Sequence, residues 1–186
     1  GLVATLEAAK AHDHYKAPLG PHQGRGVASG FWFNIGGETS ISINIGEDGT
    51  VNVIAGTPDI GGSRASTCLM VAEQLGCDYD KVRPLIGDTS SLGYTFLTGG
   101  SRATFSNGLA VVDASQKMIK EMCARAAQLW EVSPEAVKWE DGHARPASTN
   151  VGDFAPLSLA EIAAIAGKTG GPIAGHAHIN AQGAAP

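Results

Sequence analysis

The 186-residue sequence predicts an α+β fold, a mixed and mostly antiparallel sheet packed by helices, and three observations point there. Between residues 39 and 55, isoleucines and valines alternate with polar residues at the period of a strand. From residue 63 the apolar period lengthens to about 3.6, the mark of a helix. The chain is 43% hydrophobic and long enough to bury a core, so disorder is excluded.

At the start, Leu2, Val3, Leu6 and Ala9 recur at helical spacing before a polar loop over 12–23 that holds Pro18 and Pro21. Residues 1–23 are therefore an N-terminal helix and loop, and 24–186 the main domain. Three strands are expected next, over 26–33, 39–45 and 50–55. The second places Ile41, Ile43 and Ile45 on one face, and Gly46-Glu47-Asp48-Gly49 has hairpin-turn chemistry before the third. A helix over 63–75 stops at Gly76, and residues 82–87 read as a further strand. The loop over 88–100 is long, and long ordered loops are commonly functional. A second helix over 102–130 carries an expected buried stripe of Phe105, Leu109, Val112, Ile119, Cys123, Ala126 and Trp130. Ser133-Pro134-Glu135 starts a short helix, Asp141-Gly142 turns a hairpin over 137–145, and 158–166 reads as a helix with Glu161 in its first turn. A last strand is expected over 175–180, followed by a loop over 181–186.

Thirteen basic against 18 acidic side chains give a net charge of -5, with no basic stripe, so nucleic acid is excluded as a partner. No apolar run approaches the roughly 18 residues that span a bilayer, so no membrane association is expected. Three cysteines without a Cys-x-x-Cys pair encode neither a disulfide framework nor an iron-sulfur cluster, and a reducing, cytoplasmic compartment fits. The first methionine is Met70, so the chain reads as a piece of a longer frame. Only 17% of residues are charged, against a usual share of roughly 25%, which agrees with surfaces covered by something else.

One pattern carries chemistry. Gly61-Gly62-Ser63-Arg64-Ala65-Ser66 is followed 38 positions later by Gly99-Gly100-Ser101-Arg102-Ala103-Thr104, and each copy opens a long helix. A helix start has unpaired N–H groups and a partial positive charge that attract anions, worth roughly 0.3–1 kcal/mol each. Glycines let a ligand approach the backbone, serine can cap the helix or donate to a ligand oxygen, and arginine offers a fork suited to phosphate. Two such ends suit a ligand with phosphates at one end and polar acceptors at the other. Neither copy ends in the Gly-Lys-Ser/Thr of a P-loop, and no Gly-x-Gly-x-x-Gly joins strand to helix.

The ordered set Gly24-Arg25-Gly26-Val27-Ala28, Asp48-Gly49-Thr50-Val51-Asn52-Val53, Gly56-Thr57-Pro58-Asp59-Ile60-Gly61 and Val71-Ala72-Glu73-Gln74-Leu75-Gly76 resembles the molybdopterin-binding large subunit of the xanthine dehydrogenase and aldehyde oxidase family. Val82-Arg83, Gly87-Asp88-Thr89 and Gly99-Gly100-Ser101-Arg102 continue the likeness. The resemblance implies an oxidoreductase that hydroxylates aldehydes or N-heterocycles with oxygen from water. Its cofactor would be molybdopterin with molybdenum, in some members extended to a cytosine dinucleotide. It also implies the remainder of the large subunit and iron-sulfur and flavin subunits or domains as partners, with a small molecule as substrate. By the same likeness, Gly61, Gly62, Ser63 and Arg64 lie at the molybdenum and pterin end, while Gly99, Gly100, Ser101, Arg102, Ala103 and Thr104 hold the pterin and its phosphates.

Two departures bear on this expectation. The family commonly has Gly-Gln-Gly where Gly61-Gly62-Ser63 stands, so a glutamine that touches the cofactor is missing. The family's general base is a glutamate in a Gly-Glu segment near the subunit's end, and neither Glu73 nor Glu161 has that context. No catalytic residue and no metal ligand is therefore assigned, and this piece alone is expected to be inert, with or without cofactor. The alternatives are a non-enzymatic phosphate-ligand or nucleotide-binding module and a scaffold for subunit contacts. Elsewhere, His12-x-His14 and His176-x-His178 read as surface histidines, Asp59 and Asp88 as loop-fixing carboxylates, and Cys68 and Cys123 as packing residues. Trp130 and Trp139 are expected to close the far end of the core.

Overall fold

Side chains on a strand alternate between faces, and in the computed structural model this alternation decides where the helices lie. The structure describes residues 1–30 and 32–183. They form two compact units, Gly1–Trp32 and Phe33–Pro186.

The first unit holds α1 (Leu2–Ala11) and α2 (Asp13–Lys16), with no buried residue in either. Arg25 donates to the carbonyls of Tyr15 and Ala17, which closes the loop after α2. The strand expected over 26–33 is absent among its described residues; Phe31 lies outside them. A strand needs a neighbour for its backbone groups, and residues 26–30 are exposed and join no ladder.

The second unit is built on β1 (Gly36–Ile45), β2 (Val51–Ala55), β3 (Val82–Ile86) and β7 (Ile173–Gln182), in the order β3-β2-β1-β7. β1 is antiparallel to β2 and β7, while β2 and β3 are parallel, so the sheet is mixed and mostly antiparallel. The hairpin turn forms as expected: Gly46 N–H donates to Thr50 O at 2.8 Å, and Gly49 takes φ +78°. Beyond Gln182, the loop expected at the chain's end falls on residues 184–186, outside the described residues; Ala181 and Gln182 are strand.

Parallel pairing of β2 and β3 requires a crossover, supplied by α3 (Ser63–Leu75), which Gly76 ends in the left-handed conformation. α4 (Ala103–Trp130) follows β3 after the long loop and packs on β7, β1 and α3. Ile41, Ile43, Val53, Val71, Leu75, Val111, Met118, Met122 and Ile173 are its closed interior. The stripe expected on α4 holds in its second half, where Cys123 and Ala126 are buried and Ile119 and Trp130 pack on the core, and is rotated in its first. Phe105 and Leu109 are 37% and 44% exposed, while Ala110, Val111, Ala114 and Met118 are fully buried. The periodicity admitted more than one face, and small residues won because α4 must lie close to the sheet.

A smaller antiparallel sheet, β4-β5-β6, is made by β4 (Val137–Glu140), β5 (His143–Pro146) and β6 (Leu157–Ser158). The short helix at 134–136 is a single 3-10 turn. α5 (Leu159–Ala164) begins in a capping box of Ser158 and Glu161, so Glu161 serves the helix, and α6 (Ala166–Thr169) follows. Trp130 stacks on Phe154 with centroids 5.1 Å apart, and Trp139 donates to Leu75 O, both packing against the core as expected. No helix of the described residues is long and apolar enough to cross a membrane.

Candidate functional site

Both Gly-Gly-Ser-Arg segments lie in loops that leave the carboxyl ends of β2 and β3, so the two helix starts share one end of the sheet. Gly87 N–H donates to Ala55 O at 2.8 Å, and Thr57 Oγ1 donates to Asn107 Oδ1 at 3.1 Å, tying the loop after β2 to the first turns of α4. A cavity of about 250 Å³ at this end is lined by Gly56 and, from the loop after β3, Thr89, Leu92, Gly93, Tyr94 and Thr95.

The two starts differ. At α3, Gly61 and Gly62 take φ +60° and +79°, and a Cβ on either would meet open space. Ser63 N–H donates to Ile60 O at 3.1 Å, and Ser63 Oγ accepts from Ile60 N–H at 3.2 Å. Asp59 Oδ1 accepts from Arg64 N–H at 3.0 Å, and its other oxygen lies 3.5 Å from Arg64 Nε. A carboxylate from the chain itself therefore sits on this helix start, the loop-fixing role expected of Asp59. What remains open is the backbone of Gly61 and Gly62.

At α4 no side chain caps the helix and its first turn has no acidic residue. Among the described residues, the N–H groups of Ala103, Thr104 and Phe105 have no acceptor. Thr104 is exposed, and Thr98 Oγ1, just before the motif, is a buried atom with no hydrogen-bond partner. Ser101 is exposed at φ +55°. Gly100 takes φ +59°, its carbonyl accepts from Ile35 N–H at 3.1 Å, and a Cβ there would lie 2.7 Å from the Ile35 side chain. A bulky residue at Gly100 thus disturbs the fold before it reaches any ligand.

Arg102 corrects the expectation of a phosphate fork. It is fully buried, and its five N–H donors are all engaged inside the protein. Nε donates to Gly36 O, Nη1 to Phe96 O and Leu97 O at 2.9 and 3.0 Å, and Nη2 to Glu38 O and Thr39 Oγ1 at 2.6 Å each. Burial pulls its pKa down, while the nearby Glu38 carboxylate opposes that shift. Arginine is chosen here because five donors in a fixed fork can gather four carbonyls and a hydroxyl at once. The sequence offered no sign of this, since both motif copies look alike.

Asp88 holds the start of the long loop, as expected. Its carboxylate accepts from Ser90 Oγ at 2.6 Å, Ser91 Oγ at 2.7 Å and Ser90 N–H at 2.9 Å, and these bonds lower its pKa from 3.8 to about 2. A group whose pKa is depressed by folding contributes stability above its unfolded value, lost as pH falls through the folded one. An NMR titration of the Asp88 carboxyl carbon is expected to show a midpoint near 2, returning toward 3.8 when Ser90 and Ser91 are both replaced by alanine. Burial raises the pKa of Cys68 and Cys123, keeping them as packing thiols.

The family described as molybdopterin cofactor-binding domain matches residues 4–185. The chain belongs to this family. Among solved structures, the domain is similar to the Cu,Mo-CO dehydrogenase in its carbon monoxide reduced state, with a TM-score of 0.72, 20% identity, and 82% of this chain and 21% of that chain covered. It is also similar to the reconstituted CO dehydrogenase from Oligotropha carboxidovorans, with a TM-score of 0.68, 21% identity, and 78% and 19% covered. Quinoline 2-oxidoreductase from Pseudomonas putida 86 matches with a TM-score of 0.66, 19% identity, and 77% and 19% covered. At these identities the likeness is one of fold. This molybdopterin-binding domain spans about a fifth of the length of the solved chains it resembles. No curated protein matches it.

The residues present fit such a cofactor chiefly by what the two helix starts leave open. Among the described residues the first three N–H groups of α4 have no acceptor, Thr98 Oγ1 five residues before the helix is buried without a partner, and a Cβ on Gly61 or Gly62 would meet open space. Arg64 stays exposed with only its Nε near Asp59, at 3.5 Å, and Arg102 faces inward.

Proposed function

We propose that this domain holds molybdopterin at the carboxyl ends of β2 and β3, as part of the large subunit of a molybdenum hydroxylase of the xanthine dehydrogenase and aldehyde oxidase type. The single observation that carries the reading is the bare start of α4: among the described residues, three N–H groups without acceptor on a 28-residue helix with no acidic residue in its first turn. Ala103 and Thr104 would donate backbone N–H groups to the phosphate, and the exposed Ser101 hydroxyl would add a further donor. Gly99 and Gly100 set the turn, and Arg102 braces it from within. Gly61 and Gly62 would face the pterin with bare backbone, in the absence of the glutamine common in the family, while Ser63 and Arg64 close the turn behind them. When bound, the cofactor supplies the molybdenum centre at which an aldehyde or N-heterocycle is hydroxylated with oxygen from water.

Within this reading, residues 24–186 form the binding part and 1–23 an N-terminal segment. The cytosine dinucleotide form would bring a second phosphate to the same amides. The general base, the iron-sulfur and flavin centres and the rest of the large subunit would lie outside these residues, so the domain alone is inert. The three unpaired cysteines suit a cytoplasmic setting. The comparisons support this reading and not the alternative of a stand-alone nucleotide module.

Thr104→Asp tests it in the complete protein. A carboxylate in the first turn stabilises a helix but occupies the amides offered to an anion. Molybdenum by mass spectrometry and pterin by fluorescence are expected to fall at least tenfold, about 1.4 kcal/mol in binding, with unchanged thermal stability. Unaltered molybdenum and pterin content would overturn the assignment of α4 as the phosphate site.

A further inference from the structure

The face of the four-stranded sheet turned away from α4 carries an arrangement that cofactor binding does not use. On β7 the small and apolar residues Ile173, Gly175 and Ala177 point inward, so His176 and His178 point outward, and both are exposed. Their cross-strand partners on β1 are Ser42 and Ser40. Each histidine is pinned by the serine opposite: Ser42 Oγ lies 2.8 Å from His176 Nδ1, and Ser40 Oγ lies 2.9 Å from His178 Nδ1.

The second pair has a determined polarity. Ser40 has one hydroxyl proton, and Ser40 Oγ donates it to Tyr94 O at 2.9 Å. The contact with His178 must then run the other way, with Nδ1–H donating to Ser40 Oγ, which leaves the lone pair on Nε2. Gly93 fixes the ring as well, since a Cβ there would lie 2.8 Å from His178 Cε1 and from Ser40 Oγ. A histidine whose Nδ1–H is held by an oxygen and whose Nε2 is free is prepared as a metal ligand.

We propose that His176 and His178 form a two-imidazole site for a divalent cation of the zinc class. Residues two apart on a strand stand about 6.6 Å from each other on one face. Two imidazoles at that spacing can meet one ion, with Zn–N near 2.0–2.1 Å. Among the described residues no group of three or more histidine, cysteine or carboxylate side chains is placed to hold a metal, so water completes the coordination and the site stays open to exchange. Glu38, opposite Asn180 in the ladder, is the acidic residue of β1 on the same outward face. Lys117, the nearby cation, is engaged by Asp113 and by His176 O. The site does not include the helix starts, although Gly93 and Tyr94, which hold His178 and Ser40, belong to the loop that lines the cavity at that end of the sheet.

Zinc titration of the 186-residue chain by calorimetry at neutral pH tests the proposal. One equivalent is expected to bind, with affinity falling at least tenfold in His176→Ala and in His178→Ala. It should be retained when His12 and His14 are both replaced by alanine. Ser40→Ala, which keeps both imidazoles but releases the tautomer, is expected to weaken binding about tenfold. Gly93→Ala should weaken it too, by displacing the His178 ring. Imidazole nitrogen NMR of the metal-free protein should show His178 protonated at Nδ1. Absence of zinc binding, or binding that survives loss of both His176 and His178, would overturn the proposal; so would a His178 protonated at Nε2.

Discussion

Arg102→Ala is expected to lower stability by about 4 kcal/mol or more, at the exceptional end for one substitution. The variant removes five hydrogen bonds together and leaves the carbonyls of Gly36, Glu38, Phe96 and Leu97 and the Thr39 hydroxyl facing a closed void. Each buried acceptor left without a donor costs roughly 1–3 kcal/mol, and the sum is reduced only where water enters or the loop relaxes. The guanidinium also lies 5.6 Å from the centre of the Phe96 ring, so some of the loss is packing. For a chain of this size the melting temperature should fall by roughly 8–16 °C, measured by circular dichroism. Arg102→Lys should recover less than half, because three donors at one point cannot span acceptors on both β1 and the loop. Hydrogen exchange should locate the damage at residues 96–100, the segment the guanidinium fastens to β1. A loss below about 1 kcal/mol for Arg102→Ala would show that the fork is not the brace of the α4 start.

This arginine marks where the sequence stopped being legible. The isoleucines at 41 and 43, the turn of Gly46 and Gly49, the helix over 63–75 and Glu161 in the first turn of α5 are local signals, and local physics wrote them as read. The two Gly-Gly-Ser-Arg copies are also local signals, and each does open a helix. Their different fates are set by partners far along the chain. Asp59, five residues before Arg64, captures the first copy at the surface, whereas β1, more than sixty residues before Arg102, captures the second inside. The buried arc in the first half of α4 was illegible for the same reason. Phe105 and Leu109 satisfy helical periodicity as well as Val111 and Met118 do, and only the closeness of β7 chooses between them. Ser40 and His178 lie 138 residues apart, so nothing in either neighbourhood announced their pairing.

Gly175→Ala is expected to be the second large effect, through one methyl group. Gly175 has an ordinary strand conformation, so alanine would fit the backbone, but its Cβ would stand 2.1 Å from Ala114 O and 3.2 Å from Met118 Cβ. Ala114 O belongs to the α4 backbone and cannot rotate away, so α4 must lift off β7 or β7 must leave its register with β1 at Ile43. Overpacking costs typically 1–3 kcal/mol, and with backbone on the far side the upper end applies, so the melting temperature should fall by roughly 6–12 °C. Gly167→Ala is the contrast: in α6, with nothing within 4 Å of its Cβ, it should be neutral or stabilising by up to about 1 kcal/mol. Ala114→Gly should fail to rescue Gly175→Ala, because the obstructing atom is a carbonyl that glycine keeps. Rescue by Ala114→Gly would mean that side chains, not the helix backbone, set the distance between α4 and the sheet. Because the amides without acceptor stand at the start of α4, lifting the helix also shifts those N–H groups. Cofactor content of the complete protein is therefore expected to fall in Gly175→Ala, although the substitution lies far along α4 from that start.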